Sequence, residues 1–189
     1  MDIPSREAVR ELISEAAISR RVAELAWQIS ADCEGRELLL IGVLKGSWVF
    51  VADLARRLTV PVEIDFITVS SYRKGTRTSG VVEVVTDLRC PLADRDVLLV
   101  EDILDSGLTM SRLLDILRRR GPRSLRVCVL MDKRARRKVE VKADYIGFEV
   151  PDRFVVGYGA DFAERFRNLP FIGFVEEGEM GGQDGARGR

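Results

Sequence analysis

The sequence predicts an α/β domain built on an open, mostly parallel, twisted sheet that is flanked by helices. Apolar runs without polar alternation, such as Leu38–Leu44, indicate strands that are buried on both faces. These strands alternate with segments of helical periodicity, and that β-α-β order is typical of parallel sheets. Because ligands bind beyond the carboxyl ends of such strands, we expect the site in residues 44–47, 101–109, 132–138 and after Ile146.

The first half of the chain contains two predicted helices and two predicted strands. Residues 19–33 form an amphipathic helix, because their apolar residues recur at helical spacing; these are Val22, Leu25, Ala26 and Ile29. Residues 36–44 follow as a buried strand, and 47–58 form the next helix. Residues 61–71 form a longer strand that opens with Pro61, where a missing N–H costs little.

The second half contains the clearest strand–turn–helix unit. Residues 72–79 are polar and basic, so they are predicted to form a loop before a strand over 81–88. Residues 96–100 form a buried strand, 101–107 a turn, and 108–120 a helix that ends at Gly121-Pro122. Its apolar stripe consists of Met110, Leu113, Leu114 and Leu117. Residues 124–131 are the next buried strand.

Length and composition exclude several classes of protein. The 189 residues suit one domain with its own core, and 46% hydrophobic against 32% charged residues is typical of a globular chain. Lys and Arg balance Asp and Glu, so no overall basic field attracts nucleic acid, and no apolar run is long enough to span a membrane. The start, MDIPSREAVREL, is polar and helical in character without a signal core, so we expect a cytoplasmic protein.

Cysteine and histidine usage narrows the chemistry. The three cysteines are odd in number and lack metal-type spacing. The absence of histidine excludes histidine triads and histidine-bound zinc, so acid–base work falls to carboxylates, lysine or tyrosine. We expect residues 1–176 to form a single domain, and the glycine-rich residues 177–189 to be disordered.

The segment VLLVEDILDSGLT, residues 97–109, is the strongest candidate for a ligand site. A buried strand leads to Glu101 and Asp102, and Asp105 precedes the start of a helix whose free amides attract an anion. A helix cap would explain Asp105 or Ser106 alone. Three acids, one glycine and two hydroxyls within nine residues instead favour a site for a phosphate and sugar hydroxyls. The dinucleotide and Walker patterns are absent.

This segment closely resembles the phosphoribosyl-diphosphate signature of the type I phosphoribosyltransferases. Other segments resemble their hypoxanthine-guanine branch, in family order over most of residues 37–175; they are IGVLKGSWVFVADLARRL, DFITVSSYRKGTRTSG, MDKRARR and IGFEVPDRFVVGYGADFAERFRNLPFIG. The resemblance implies the type I fold, with a small hood from the chain ends. It also implies a purine salvage enzyme that transfers a 5-phosphoribosyl group from phosphoribosyl diphosphate to N9 of hypoxanthine, and of guanine, and releases diphosphate.

The resemblance also assigns roles within this segment. Asp105 would face N7 of the purine as general acid and base, and Glu101 and Asp102 would hold the ribose hydroxyls directly or through Mg²⁺. The 5-phosphate would lie in the loop formed by Asp105, Ser106, Gly107, Leu108 and Thr109. Ser106 departs from the family's usual threonine but keeps the hydroxyl.

Further roles fall on segments that follow other strands. Lys45 and Gly46 would bind diphosphate, in a loop that often has a cis peptide before the lysine in this family, and Arg167 would join them. Taken alone, Lys45-Gly46 favours an ordinary strand–helix turn with an exposed lysine. Lys133 would donate to the purine O6 and thereby favour 6-oxopurines over adenine.

The remaining family roles concern the base, the second metal ion and a lid. Phe154 would stack on the purine, backbone groups around Val155 and Asp161 would read its edge, and Asp161 would bind a second Mg²⁺. Ser71 and Tyr72 would belong to a lid that excludes water. The family also implies a homodimer or homotetramer.

Two other functions are weighed against this enzyme. A nucleotide-sensing regulator that binds RNA would use the basic run KRARRK at 133–138, although a solvated basic loop explains that run without any partner. The run has no interleaved aromatic residues, so nucleic acid is not the expected partner. A pyrimidine phosphoribosyltransferase fits poorly with Lys133 and Asp105 as placed.

Overall fold

The computed structural model describes residues 5–74 and 77–175, with the side chains of residues 71–82 outside that description. In chain order the elements are β1 (Val9–Ile13), α1 (Glu15–Asp32), β2 (Leu38–Leu44), α2 (Trp48–Ala55), β3 (Val62–Lys74), β4 (Arg77–Thr86), β5 (Asp96–Leu104), α3 (Leu108–Arg118), β6 (Ser124–Asp132), β7 (Tyr145–Glu149), β8 (Val155–Val156) and β9 (Ile172–Val175). Short 3₁₀ turns lie at Arg6–Ala8 and Arg134–Arg136.

The larger sheet has six strands in the order β4-β3-β2-β5-β6-β7. All pairs are parallel except β3 with β4, which is antiparallel and lies at one edge. The central strands are buried on both faces, as their uninterrupted apolar sequences predict; Leu39, Leu40 and Ile41 have no exposed surface. The predicted mostly parallel α/β sheet is therefore confirmed.

Helices cover both faces of this sheet. One apolar cluster joins the sheet to α1 and α2, and a second joins the opposite face to α3. Helix α1 starts at Glu15, earlier than predicted, because the Ser14 hydroxyl caps it by accepting the Ala17 N–H at 3.3 Å. Its buried stripe contains the predicted residues Val22, Leu25, Ala26 and Ile29. Packing of amphipathic helices on both faces thus encloses the central strands.

The two ends of the described chain form a hood, which is a separate antiparallel sheet in the order β1-β9-β8. The prediction of helical character at the start is wrong, because residues Val9–Ile13 form a strand that pairs with β9. In this pairing Val9 lies opposite Val175. The partner strand is remote in sequence, so local periodicity could not indicate it.

The predicted loop over 72–79 is also wrong in its secondary structure. Strand β3 continues to Lys74 and β4 begins at Arg77, with these two residues paired. Residues 75–76 and the predicted disordered tail, 177–189, lie outside the described residues. No helix in the described part of the chain is long and apolar enough to cross a membrane.

Candidate active site

The segments that the sequence marks as functional come together at one edge of the larger sheet. Strands β2, β5, β6 and β7 are neighbours and parallel, so their carboxyl ends lie side by side. Leu104 at the end of β5 pairs with Asp132 at the end of β6, and Asp132 pairs with Glu149. Residues 44–47, 101–109 and 132–138 are therefore adjacent, as the topology predicts for a ligand site.

The acidic pair lies within the last residues of β5 and not in a turn, because the strand extends to Leu104. Burial, and secondly the neighbouring charge of Asp102, raise the pKa of Glu101 well above its usual range. A Cβ atom at Gly46 would overlap the Asp102 carboxylate, so only glycine allows the β2 loop to approach so closely. The structure thus brings Lys45-Gly46 against the acidic pair, and the Leu44–Lys45 peptide is cis.

Residues Asp105 to Thr109 curve around the amino end of α3, and we call them the phosphate cup. Gly107 has a φ of +80°, and a Cβ there would also overlap the Val139 carbonyl oxygen. The Ser106 hydroxyl accepts the Leu108 N–H at 3.4 Å, and Ser111 N–H donates to Gly107 O at 2.9 Å. The amides of the first turn of α3 have no acceptor within the helix, and an anion can use them.

Asp105 has a buried carboxylate oxygen that lacks a partner. Among the described residues, no group donates to its Oδ1 atom. Buried polar atoms are nearly always satisfied, so an orphaned carboxylate oxygen at a sheet edge indicates a position for a ligand donor. The negative charge of Asp105 also acts on Lys133, where it opposes the stronger effect of burial, which lowers the pKa of that lysine.

The side chain of Lys133 reaches the backbone directly before Phe154. Lys133 is almost fully buried, and its Nζ donates to the Arg153 carbonyl oxygen at 2.8 Å, one residue before Phe154. Phe154 is 43% exposed, and its ring packs edge-on against Phe162 at 5.3 Å between ring centroids. Val155 is buried in β8. A cation and an exposed aromatic face are therefore available to a flat heterocycle.

Lys45 and Arg167 meet at a cluster of charges that we call the hood-edge cluster, which also contains Asp161 and Glu164. Lys45 Nζ lies 3.1 Å from Glu164 Oε2, and Arg167 Nη2 lies 3.3 Å from the same oxygen and 2.8 Å from Asp161 Oδ1. The ion pairs lower the pKa of Glu164, chiefly through its hydrogen bond from Lys45. Arg167 Nε is buried without a partner among the described groups.

Asp161 is not placed with the other two proposed metal ligands. Its carboxylate pairs with Arg167 and accepts the Glu164 N–H at 2.8 Å. Within residues 5–74 and 77–175, no group of three or more potential metal ligands forms a cluster. A metal ion at Glu101 and Asp102 would therefore take its remaining ligands from substrate and water, which is how Mg²⁺ usually binds.

The arginines of the basic run over residues 133–138 form ion pairs with carboxylates. Arg134 pairs with Asp132 at 3.1 Å and with Glu149 at 3.2 Å, and Arg136 pairs with Asp152 at 2.5 Å. Arg137, only 10% exposed, pairs with the buried Asp132. The interpretation of the whole run as a solvated loop is wrong for Lys133 and Arg137. Because the three arginines have acidic partners, the run also offers few unpaired charges to an RNA backbone.

The two proposed lid residues lie in the far part of β3. Ser71 and Tyr72 belong to the strand by their backbone, and Ser71 pairs with Val82 of β4. Their side chains are among those outside the description. The lid assignment for these two residues stays a prediction.

An oxyanion cup beside paired carboxylates, at the carboxyl edge of a parallel sheet, is the arrangement of α/β proteins that bind phosphorylated sugars and nucleotides. The family model described as the phosphoribosyl transferase domain matches residues 9–163. The chain belongs to this phosphoribosyl transferase domain family.

Two curated proteins show the extent of the sequence similarity. The hypoxanthine phosphoribosyltransferase of Salmonella typhimurium is 47% identical over 172 residues, which are 90% of this chain and 97% of the relative. The bifunctional protein TilS/HprT of Listeria monocytogenes is 48% identical over 165 residues, 87% of this chain but only 26% of the relative. The chain thus spans about a quarter of the length of that bifunctional relative.

Solved structures agree with these sequence relatives. A hypoxanthine-guanine phosphoribosyltransferase from Bacillus anthracis superimposes with a TM-score of 0.85 at 49% identity, over 88% of this chain and 98% of the other. A hypoxanthine phosphoribosyltransferase from Staphylococcus aureus gives 0.86 at 41% identity, over 88% and 91%. The predicted type I phosphoribosyltransferase fold, with its hood, is confirmed.

Proposed function

We propose that this chain is a hypoxanthine phosphoribosyltransferase that also accepts guanine. It transfers the 5-phosphoribosyl group from phosphoribosyl diphosphate to N9 of the base and gives IMP or GMP and diphosphate. In this reaction the bond from the anomeric carbon to diphosphate breaks, a bond to N9 forms, and the base loses one proton. The observation that carries the proposal is a buried oxygen of Asp105 in the phosphate cup, which has no hydrogen-bond donor among the described residues and whose carboxylate charge acts on Lys133.

Different residues around this oxygen bind the 5-phosphate, hold the base and accept its proton. The phosphate cup takes the 5-phosphate through the amides at the start of α3. Lys133 donates to O6 of the base, and the exposed ring of Phe154 stacks on its face. Asp105 then accepts the proton at N7 as the bond to N9 forms, which is general base catalysis by a carboxylate.

The base preference follows from the donor character of Lys133. An ammonium has three donors and no acceptor, so it matches a 6-oxo group and not a 6-amino group. An adenine amino group would leave buried donors unpaired, at a cost of about 1–3 kcal/mol. We therefore expect hypoxanthine and guanine to be preferred over adenine by roughly one to two orders of magnitude in kcat/KM.

Mg²⁺ fits the donors at the end of β5. Glu101 and Asp102 provide only oxygen atoms, and Gly46 packs directly against the Asp102 carboxylate. Bound there, the ion would neutralise charge on the departing diphosphate. Lys45 and Arg167 supply further positive charge for that group, and Asp161 keeps its proposed role at a second ion. The expected cytoplasmic location and the homodimer or homotetramer stay predictions.

A steady-state assay across purine bases tests the proposal. Diphosphate release from phosphoribosyl diphosphate should require both Mg²⁺ and hypoxanthine or guanine, with little turnover for adenine. No turnover with hypoxanthine, guanine or xanthine would contradict the proposed activity.

Asp105→Asn provides the sharper test of mechanism. This variant keeps the size and position of the side chain but removes the base, so kcat should fall by about 10² to 10⁴ while phosphoribosyl diphosphate still binds. Asp115→Asn is the matched control, because Asp115 is exposed on α3 and pairs only with Arg118 among the contacts seen there. A turnover close to that of the unmodified chain in Asp105→Asn would remove Asp105 from this role.

A further inference from the structure

A buried guanidinium supports the phosphate cup from behind. Arg137 Nε donates to the Asp105 carbonyl oxygen at 3.0 Å, and its Nη2 donates to the Leu104 carbonyl oxygen at 3.2 Å. Its aliphatic part packs beneath Gly107, 3.1 Å from where a Cβ would lie. Arg137 therefore contacts the backbone of the cup and not the face that receives an anion.

The backbone after Arg137 completes this support. Lys138 N–H and Val139 N–H both donate to the Ser106 carbonyl oxygen, at 2.9 and 3.1 Å, and Lys133 N–H donates to Leu104 O at 3.0 Å. Three successive carbonyl oxygens, those of Leu104, Asp105 and Ser106, thus bind donors from residues 133–139. A carbonyl oxygen that faced the cup would repel a phosphate, so this arrangement leaves the amides of the cup to the anion.

Asp132 holds the guanidinium in this position. Its carboxylate is 4% exposed and pairs with Arg137 Nη2, while Arg134 Nε approaches its second oxygen at 3.1 Å. Asp132 directly precedes Lys133, and it ends β6 beside Leu104 at the end of β5. The pair therefore joins the strand end that carries Lys133 to the loop that carries Asp105.

We infer that Arg137, held by Asp132, is a positioning residue that turns the cup's carbonyl oxygens away from the bound 5-phosphate and fixes Asp105 relative to Lys133. The inference rests on the proposed function for the identity of the ligand. Arg137 is not itself a ligand for phosphate, because Nε and Nη2 already donate to protein oxygens and Nη1 points to Val141 O at 3.5 Å.

Binding of two separate probes tests this role. Ribose 5-phosphate reports on the cup, and magnesium diphosphate reports on the end of the site near Lys45 and Arg167. In Arg137→Gln, affinity for ribose 5-phosphate should fall by about 10 to 100 fold, because displaced groups around a site carry penalties of that order. Affinity for magnesium diphosphate should stay within about twofold. Calorimetry on the full chain measures both.

Arg137→Lys separates positioning from charge. Lysine can keep the ion pair with Asp132, but it lacks the planar fork that reaches two carbonyl oxygens at once. Compared with Arg137→Gln, Arg137→Lys should recover more of the melting temperature of the unmodified chain than of its affinity for ribose 5-phosphate. Arg118→Gln, which alters an exposed pair with Asp115 on α3, is the control and should leave both affinities unchanged.

Arg137→Gln could fail to fold, because it leaves the buried Asp132 with only Arg134. The double variant Asp132→Asn with Arg137→Gln removes both charges and serves in its place. The inference is overturned if affinity falls equally for both probes. It is also overturned if the melting temperature falls while affinity for ribose 5-phosphate is unchanged. No binding of ribose 5-phosphate by the unmodified chain overturns it as well. If the unmodified chain binds this probe but does not convert hypoxanthine, the proposed function fails while the role of Arg137 stands.

Discussion

The phosphate cup and the hood-edge cluster are both proposed to bind phosphate oxygens, but they are built in opposite ways. The cup is held by backbone hydrogen bonds and by the buried Arg137–Asp132 pair. The cluster is held by ion pairs of the exposed Lys45 and Glu164, each 65% exposed, with Arg167 between Glu164 and Asp161. The cup is therefore shaped before its ligand arrives, whereas the cluster must exchange carboxylate partners for diphosphate oxygens.

This difference suits the two parts of the proposed substrate. The 5-phosphate stays on the sugar throughout the reaction, so a rigid site that binds it can orient the reacting carbon. Diphosphate must leave, and a site whose cations already have a competing carboxylate releases it more easily.

Gly107→Ala should have the largest effect, because it deforms the rigid region directly. The new methyl group would overlap the Val139 carbonyl oxygen and would sit on a residue with a φ of +80°. Binding of ribose 5-phosphate should be lost, and the free energy of unfolding should fall by more than the roughly 1–2 kcal/mol of left-handed strain alone. Denaturant unfolding and calorimetry measure these two effects.

Gly121→Ala is the matched control for that experiment. Gly121 also has a positive φ, of +70°, but a Cβ there meets nothing within 4 Å. This variant should show the strain without the collision and should bind ribose 5-phosphate normally. If the two variants lose the same stability and both bind, the cup is not rigid in the sense proposed.

Arg167→Gln should weaken magnesium diphosphate binding by about 10 to 100 fold, because hydrogen bonds from a charged group contribute about 1.5–3 kcal/mol. The same variant should leave ribose 5-phosphate affinity nearly unchanged, since Arg167 belongs to the other region. Arg165→Gln, at an exposed position two residues earlier, is the control. A parallel loss of both ligands in Arg167→Gln would show that the two regions are not independent.

The sequence predicts the phosphate cup and the acidic pair, but it does not predict the buried arginine that supports the cup. The acidic pair lies at the end of a strand and the cup begins a helix, and the parallel order of strands places such ends together, so both follow from local pattern and topology. The burial of Arg137 does not follow, because two of its acceptors, the carbonyl oxygens of Leu104 and Asp105, lie at the end of β5 and are remote from Arg137 in sequence. Read locally, KRARRK has the composition of a solvated loop.

The hood shows the same limit at the level of secondary structure. Strand β1 forms because β9, more than 150 residues later, provides its hydrogen-bonding partner, and Val9 pairs with Val175. The first twelve residues contain no local pattern that predicts this pairing, and their polar composition indicates a helix instead. Local periodicity indicates elements that pack through their own faces, and it fails where a distant strand supplies the partner.

Glu101→Gln should stabilise the Mg²⁺-free chain at neutral pH. Burial and the Asp102 charge raise the pKa of Glu101, so the folded state holds a proton that the unfolded state has released. Stability contributed by that proton is present below the ordinary glutamate range and is lost as the pH rises through the raised value. As the pH rises through this range, the melting temperature should fall less in Glu101→Gln than in the unmodified chain. Glu24→Gln, which alters an exposed ion pair on α1, is the control and should show the same pH dependence as the unmodified chain.

Glu164→Gln should cause the smallest change in ligand affinity. It should strengthen magnesium diphosphate binding, whereas Arg167→Gln should weaken it. Removing this carboxylate frees Lys45 and Arg167 from a competing partner, so magnesium diphosphate should bind about two to five times more tightly. The gain is small because ion pairs between exposed side chains contribute little in water. It should shrink further as salt rises, since added ions already screen the competing pair. Unchanged or weaker diphosphate binding in Glu164→Gln at low salt would mean that Glu164 orients the two cations and does not compete for them.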